Sequence, residues 1–413
     1  MQKKAPQHDQ HPYYVRKDGT YYAHGKDLRD IANIAGSTPF YVYNRDIIEQ
    51  KVNHFRAFIP DRIKLHYAIK ANPMPALVCF AASLVDGLDV ASQKELRAAL
   101  ASGISAKTIS FAGPAKQDSD LRAAIASGIT LNIESEGELQ RAIDLGQALG
   151  QRPQIAIRVN PDFELKTSGM KMGGGPKQFG IDAEIVPDII RSLPDSVDYV
   201  GLHIFSGSQN LRPDALIDAH QKTFALAARI QQDSGRSIHK LNLGGGFGIP
   251  YFPGETCLDL TEIGENLSAL LEQYQTEFND TELVIELGRY LVGECGLYVT
   301  SVVDKKESRG TTYLTTDGGL HHHLSNSGNF GQVIRKNYPV DIVQLDKAAP
   351  ESENELVTVV GPLCTPLDTL ADKMTLPQAK PGDLVIIFQS GAYGATASPI
   401  NFLSQPEMIE VFI

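Results

Sequence analysis

Cysteine is scarce in this 413-residue chain and poorly spaced for cross-linking: Cys79, Cys257, Cys295 and Cys364 lie far apart, with no C-x-x-C among them. That spacing argues against a disulfide framework and against a thiolate zinc site. Long apolar runs are also missing. None approaches the ~18 residues of a membrane helix, and Met1–Pro12 carries Lys3, Lys4, His8, Asp9 and His11 where a signal peptide would have its apolar stretch. Neither a transmembrane helix nor a secretory leader is expected, and the chain reads as cytoplasmic. Basic blocks are absent and the net charge is −11, which disfavours nucleic acid and anionic membranes as partners. Any anion must therefore be held locally. With 42% hydrophobic and 21% charged residues, the chain suits a soluble barrel-sized domain plus a smaller one.

Two rhythms divide the sequence. The first is preceded by two β-rich runs, Tyr13–Lys17 and Thr20–Tyr22, around Asp18-Gly19, a hairpin signal. From Ile63 onwards, short apolar runs alternate with helical patterns: Ile63–Ile69, Val85–Val90, Thr108–Phe111, Thr130–Ile133, Gln154–Val159, Tyr199–Phe205, His239–Leu243 and Glu282–Glu286. Eight such units match an α/β fold of the (β/α)8 TIM-barrel type better than an open doubly wound sheet. Beyond Gly288 the β runs Leu297–Val303, Thr312–Thr316, Leu356–Val360, Leu384–Phe388 and Met408–Ile413 have few helical periods between them. The expected organisation is a segment 1–38 whose hairpin completes a β domain, a barrel over 39–290, and that all-β domain over 291–413. Loops and helices decorating a single barrel are the weaker alternative, given the density of Val, Thr and Ile.

Barrel chemistry gathers at strand C-termini, and those positions carry reactive residues. Lys70 follows the first strand. An ammonium buried there is costly or loses its proton, which favours Schiff-base chemistry; a lysine snorkelling out of a strand end is the equally open alternative. Asp89 closes the second strand, Arg158 the fifth, and His203 with Ser206 and Ser208 the sixth. Gly244-Gly245-Gly246-Phe247-Gly248 follows the seventh, and Glu286-Leu287-Gly288-Arg289 ends the eighth. Exposed backbone amides and a guanidinium there suit a phosphate dianion better than a mere tight turn. An amine beside a phosphate site suggests pyridoxal 5′-phosphate (PLP), with His203 able to stack on an aromatic cofactor.

The stretches HYAIKANP, GLDVASQKE, GLHIFSGSQN, LNLGGGFG, ELGRY, GPLCTPLD and SGAYG resemble the fold-type III PLP decarboxylases, the ornithine and diaminopimelate decarboxylase family, in order from about residue 39 to the end. The resemblance implies an alanine racemase-like barrel and a PLP-dependent carboxy-lyase. Lys70 would be the Schiff-base lysine, His203 would stack on the pyridine ring and Glu286 would pair with its nitrogen. Ser206, Gly245, Gly246, Gly288, Arg289 and Tyr393 would surround the phosphate, supported by Asp89 and Arg158. The resemblance also implies a homodimer with shared active sites, in which Cys364 reaches the partner's site as the catalytic thiol. Cys79, in an apolar helix, is expected to be a small buried hydrophobe.

Departures from that family bear on the substrate. Diaminopimelate decarboxylases usually carry Glu after the catalytic Cys, and ornithine decarboxylases Asp; here Thr365 follows Cys364, near Asp368. Asp317-Gly318-Gly319-Leu320 runs into His321-His322-His323 where an Arg is usual, and Gln178 stands where Lys is common. The glycine-rich Thr167–Pro176 insertion reads as a mobile lid. These details resemble the branch that decarboxylates a glutamyl carrier protein in butirosin biosynthesis, and the exosortase-associated decarboxylases, implying a free small-molecule or carrier-protein-bound amino acid. Diaminopimelate or ornithine/lysine decarboxylation is the alternative; a racemase-like isomerase, which would pair Arg rather than Glu286 with the ring, and an inactive regulatory homologue lie further off. In an extended segment His321 and His323 share a face, but substrate contact is expected of them rather than metal binding; no metal site is expected.

Overall fold

A computed structural model describes residues 8, 11–164, 170–171, 173–330, 332, 335–347 and 353–413. Two compact units divide the chain, one comprising 50–249 and 257–290, the other 1–49, 250–256 and 291–413.

The first unit is the (β/α)8 barrel. Its strands are Ile63–Ala68, Gly87–Val90, Ile109–Phe111, Thr130–Ile133, Gln154–Asn160, Asp198–Ile204, Lys240–Asn242 and Glu282–Leu287. All pair in parallel, and closure comes from Leu283 opposite Ile63 and Leu287 opposite Tyr67. The strands read as continuous apolar runs because helices cover their outer face and side chains fill the interior: Leu65, Tyr67, Leu88, Ile157, Leu202, Leu241 and Ile285 are all inaccessible. Serine caps open two of the barrel helices. The Ser92 side chain accepts from the Glu95 amide to open Gln93–Ala101, and Ser135 accepts from Glu138 to open Glu136–Leu149.

The second unit is mostly β. Its sheet runs in the order Val340–Val343, Leu384–Ile387, Gly296–Ser308, Thr311–Thr316, Asn354–Val360 and Thr369–Pro377. Phe40–Tyr43, which a boundary at 38/39 assigned to the barrel segment, pairs antiparallel with Gly296–Ser308 and parallel with Ile409–Phe412. The expected N-terminal hairpin shrinks to one bridge, Lys17 to Thr20, around Asp18 and Gly19, both at positive φ. The turn chemistry was right, but Tyr14 and Tyr21 pack instead of pairing across it, the Tyr14 hydroxyl donating to the Cys295 carbonyl (2.8 Å) and the Tyr21 ring meeting Phe388 edge-on, while Tyr22 pairs onward with Asp27. The strand that completes the sheet is Phe40–Tyr43.

Candidate active site

Register decides which side chains share the barrel mouth. His203 lies opposite both Arg158 and Asn242, Glu286 opposite His66, and Asp89 opposite Ser110 and Ala68. Lys70 sits just past its strand, in the short turn Ile69–Ala71. Its side chain is 43% exposed, so burial is not what conditions this amine. Its neighbours are Glu286 Oε1, 3.9 Å from Nζ, and the Phe205 ring, 5.2 Å away.

Glu286 is the most constrained group in the mouth. His203 Nε2 lies 3.1 Å from its Oε2, and the Asn242 side-chain amide donates to the same oxygen at 3.2 Å. Burial alone would push this carboxyl up; the hydrogen bond and charge of His203, then the charges of Lys70 and Arg158, reverse it and hold the group well below the usual carboxylate range. Glu286 is thus an anion with a cation at hand. Asn242 also accepts from the Gly244 amide (2.8 Å), fixing the start of the glycine turn. In that turn Gly244 and Gly246 have positive φ, and a Cβ on Gly245 or Gly246 would overlap the carbonyls of Glu286 or Gly207. A Cβ on Gly288 would come 2.9 Å from that of Ala71, beside Lys70. Only glycine lets these segments approach so closely.

Around the mouth runs a buried ionic lattice. Arg158 donates to Glu134 (2.8 Å) and stacks 5.0 Å over Phe179; Lys116 bonds Glu138 (2.8 Å) and the carbonyls of Gly113 and Asn132. Glu134 also accepts from the Gly113 amide (2.6 Å). Burial raises the pKa of Glu138 despite Lys116. On the other side Asp89 Oδ1 takes hydrogen bonds from Ser110 and from His66 Nδ1 (3.3 Å). Sequence reasoning missed Glu134, Lys116, Asn242 and Phe179. Glu134 follows a barrel strand, the signal that identified Asp89, but its place before the helix-capping Ser135 made it look ordinary.

These residues fit PLP. Lys70, Asp89, Arg158 and Glu286 line one cavity of about 200 Å3. Asp89 Oδ2 and His203 Nδ1 are buried without a partner among the described residues, the condition in which a bound polar ligand repairs a deficit. The glycine turn leaves room where side chains would stand. Ser206 is buried just past the sixth strand, and Arg289 opens the short helix after the eighth.

The remaining candidates belong to the other unit. Cys364 is exposed in the Gly361–Asp368 loop. Thr365 accepts from the Leu367 amide (3.3 Å). Asp368, expected to meet substrate, is 2% exposed and accepts from the amides of Leu320 (2.6 Å) and Leu363 (2.9 Å), so its carboxylate ties two loops together. The histidines are not extended but form a turn in which the Gly319 carbonyl accepts from the His322 and His323 amides. All three are buried. His323 meets Ser390 (2.9 Å) and His322 the Pro406 carbonyl (2.9 Å), whereas the His321 ring lies 3.8 Å from that of His322, tilted by 42°, with neither ring nitrogen partnered among the described residues. His321 and His323 therefore present no ring to a substrate at the surface of this unit. Asp317 is spent on Thr300 and the Ser301 amide, and no metal-binding group occurs among the described residues. Tyr393 has positive φ, and its carbonyl accepts from Ser325 (2.8 Å). Cys79, expected inside, is exposed; Cys295 is the buried thiol, its pKa pushed up by burial. The Thr167–Pro176 insertion lies partly outside the described residues.

Comparison with known proteins points to one enzyme family. Residues 45–293 match the family model described as pyridoxal-dependent decarboxylase, pyridoxal binding domain. An L-glutamyl-[BtrI acyl-carrier protein] decarboxylase from Niallia circulans is 38% identical over 91% of this chain and 88% of its own length. A 2-[(L-alanin-3-ylcarbamoyl)methyl]-2-hydroxybutanedioate decarboxylase from Staphylococcus aureus is 30% identical over 89% and 92%. Among solved structures, a diaminopimelate decarboxylase from M. jannaschii in complex with L-lysine superposes with a TM-score of 0.88 at 26% identity, covering 98% of this chain and 93% of that one.

Proposed function

The chain belongs to the pyridoxal-dependent decarboxylases, and from that premise we propose that it decarboxylates an α-amino acid whose far end is acylated or carrier-bound rather than charged. The observation carrying this reading is the Cys364 loop. Thr365 follows Cys364 where the family resemblance leads one to expect an acid in enzymes acting on diamino acids, and the Asp368 carboxylate is spent on two backbone amides. Among its described residues the loop offers no free carboxylate for a distal ammonium. Two relatives whose names specify an acyl-carrier-protein substrate and a carbamoyl-linked one support the same class.

PLP, when bound, supplies a ring that takes up the electron pair left by CO2. Lys70 Nζ would be the covalent attachment point for the cofactor. Glu286 keeps a proton on the ring nitrogen, and His203 and Asn242 hold the carboxylate in place for it. The Gly244–Gly246 turn, Ser206 and Arg289 would take the phosphate, a role the family resemblance also gives to Tyr393. Arg158, braced by Glu134, and Asp89, braced by His66 and Ser110, orient the cofactor's remaining polar edge. The Cys364 thiol, from the second copy of a homodimer, returns a proton to the carbon that lost CO2, so the products are CO2 and the corresponding amine. An exposed, reduced thiol in this role suits a cytoplasmic location; no described helix is long and apolar enough to cross a membrane.

The test is CO2 release from PLP-loaded protein with glutamyl carrier protein, glutamyl phosphopantetheine thioester, free glutamate, diaminopimelate, ornithine and lysine. The thioesters should give the highest kcat/KM. Faster turnover of diaminopimelate or ornithine would contradict the reading.

A further inference from the structure

A groove of about 430 Å3 in the β unit lies on the face of the Gly296–Ser308/Thr311–Thr316 hairpin. Lys306 is opposite Tyr313, and Ser308 and Thr315 share their face by the two-residue period of paired strands. The far wall is the loop that carries Cys364: Leu363, Thr365 and Pro366 all line the groove.

Charge in this groove is one-sided. Lys305 is taken up by Glu355 (2.5 Å), and Asp304 turns its carboxylate onto the Lys305 amide (2.9 Å). Asp368, which also lines the groove, is occupied by the Leu320 and Leu363 amides. Lys306 is exposed, and among the described residues it makes no ion pair or side-chain hydrogen bond. The groove thus runs from an unspent ammonium, past the hydroxyls of Ser308, Tyr313 and Thr315, to the Cys364 loop.

We propose that this groove takes the phosphopantetheine arm of a carrier-bound substrate, with the arm's phosphate at Lys306 and its thioester end at the Cys364 loop. The proposal rests on the carrier-bound reading above and specifies how such a substrate is held. A phosphopantetheine arm is a phosphate joined through two amides to a thioester. Its polarity therefore runs in the same order as the groove: anion against cation, amides against hydroxyls, acyl group against the loop that carries Cys364. The volume lies within the ordinary range for small-ligand sites. A hydrated lysine suits the arm's phosphodiester as a point charge, without the bidentate geometry of arginine.

The probe is 4′-phosphopantetheine, titrated calorimetrically into the PLP-loaded protein beside pantetheine, which lacks the phosphate. Phosphopantetheine should bind more tightly. Lys306→Glu should weaken it about fivefold, the scale of an exposed charge contact removed and reversed, without changing the affinity for pantetheine, and Lys306→Arg should retain most of the preference. No binding to the wild-type protein, or equal binding of the two probes, overturns the proposal. So does a Lys306→Glu variant that native mass spectrometry finds monomeric beside a dimeric wild type, because the groove would then be a face for a second copy of the chain. CO2 release from free amino acids alone would overturn the substrate reading while leaving these binding curves as they are, so the two failures are distinguishable.

Discussion

The barrel mouth and the loops around Gly318–His323 and Gly361–Asp368 are both rich in buried polar groups, yet they use them differently. In the mouth, charges answer charges: His203 meets Glu286, Arg158 meets Glu134, and Lys116 meets Glu138. In those loops of the β unit, several charges and rings answer the backbone: Asp368 holds the Leu320 and Leu363 amides, Asp317 the Ser301 amide, and His322 the Pro406 carbonyl. The first arrangement tunes ionisable groups and leaves Asp89 Oδ2 and His203 Nδ1 open to a ligand; the second fixes loop shape. A reaction centre needs the former and a specificity loop the latter. Under the proposed function, the mouth would set the reaction and the Cys364 loop would select the substrate.

Removing Lys70 should break this division most severely. Lys70→Ala is expected to lose activity and the visible absorbance of the PLP-loaded protein together; retained yellow colour with turnover would show attachment elsewhere. Glu286→Gln comes next. The phosphate anchors are untouched, so absorbance should persist, while kcat falls ~10²-fold or more for loss of one preorganised electrostatic contact. Unchanged turnover would make Glu286 structural.

A smaller effect tests whether the two units work together across copies. Mixed Lys70→Ala and Cys364→Ala chains should recover about a quarter of wild-type activity, since random exchange makes half the dimers mixed and each mixed dimer has one intact site. No recovery, with exchange verified by native mass spectrometry, would place the thiol in its own chain's site or outside catalysis.

The smallest effect is on stability. Burial lowers the pKa of all three histidines from 6.5, His321 to about 4 and His323 to about 3. The unfolded chain therefore binds more protons than the folded one between about pH 6.5 and 4, and stability falls as pH drops through that window. Glu286, with its folded pKa depressed below 4.5, contributes stability above that value and loses it only at lower pH. Calorimetry should show a thermal midpoint lower by about a few degrees at pH 5 than at pH 7, with a flatter pH dependence in His321→Leu. An identical slope in the variant would remove His321 from the account.

What the sequence revealed follows the same division. The barrel strands could be recognised because a parallel strand buried on both faces is apolar throughout, and the residues at their ends then marked the mouth. Phe40–Tyr43 has the same appearance, so nothing local assigned it to the other sheet. Thr369–Pro377 escaped notice because Asp372 and Lys373 interrupt its apolar pattern, and Lys373 has positive φ. Glu134 and Asn242 became visible only through their partners, which depend on register. The burial of the histidines was unreadable because polar residues beside glycines usually signal an exposed turn.

Borohydride reduction of the PLP-loaded protein, followed by digestion and mass spectrometry, tests the central assignment most directly, because it fixes the cofactor to the lysine that holds it. The account predicts a pyridoxyl group on Lys70; a pyridoxyl group on any other lysine, with Lys70 unmodified, would contradict it.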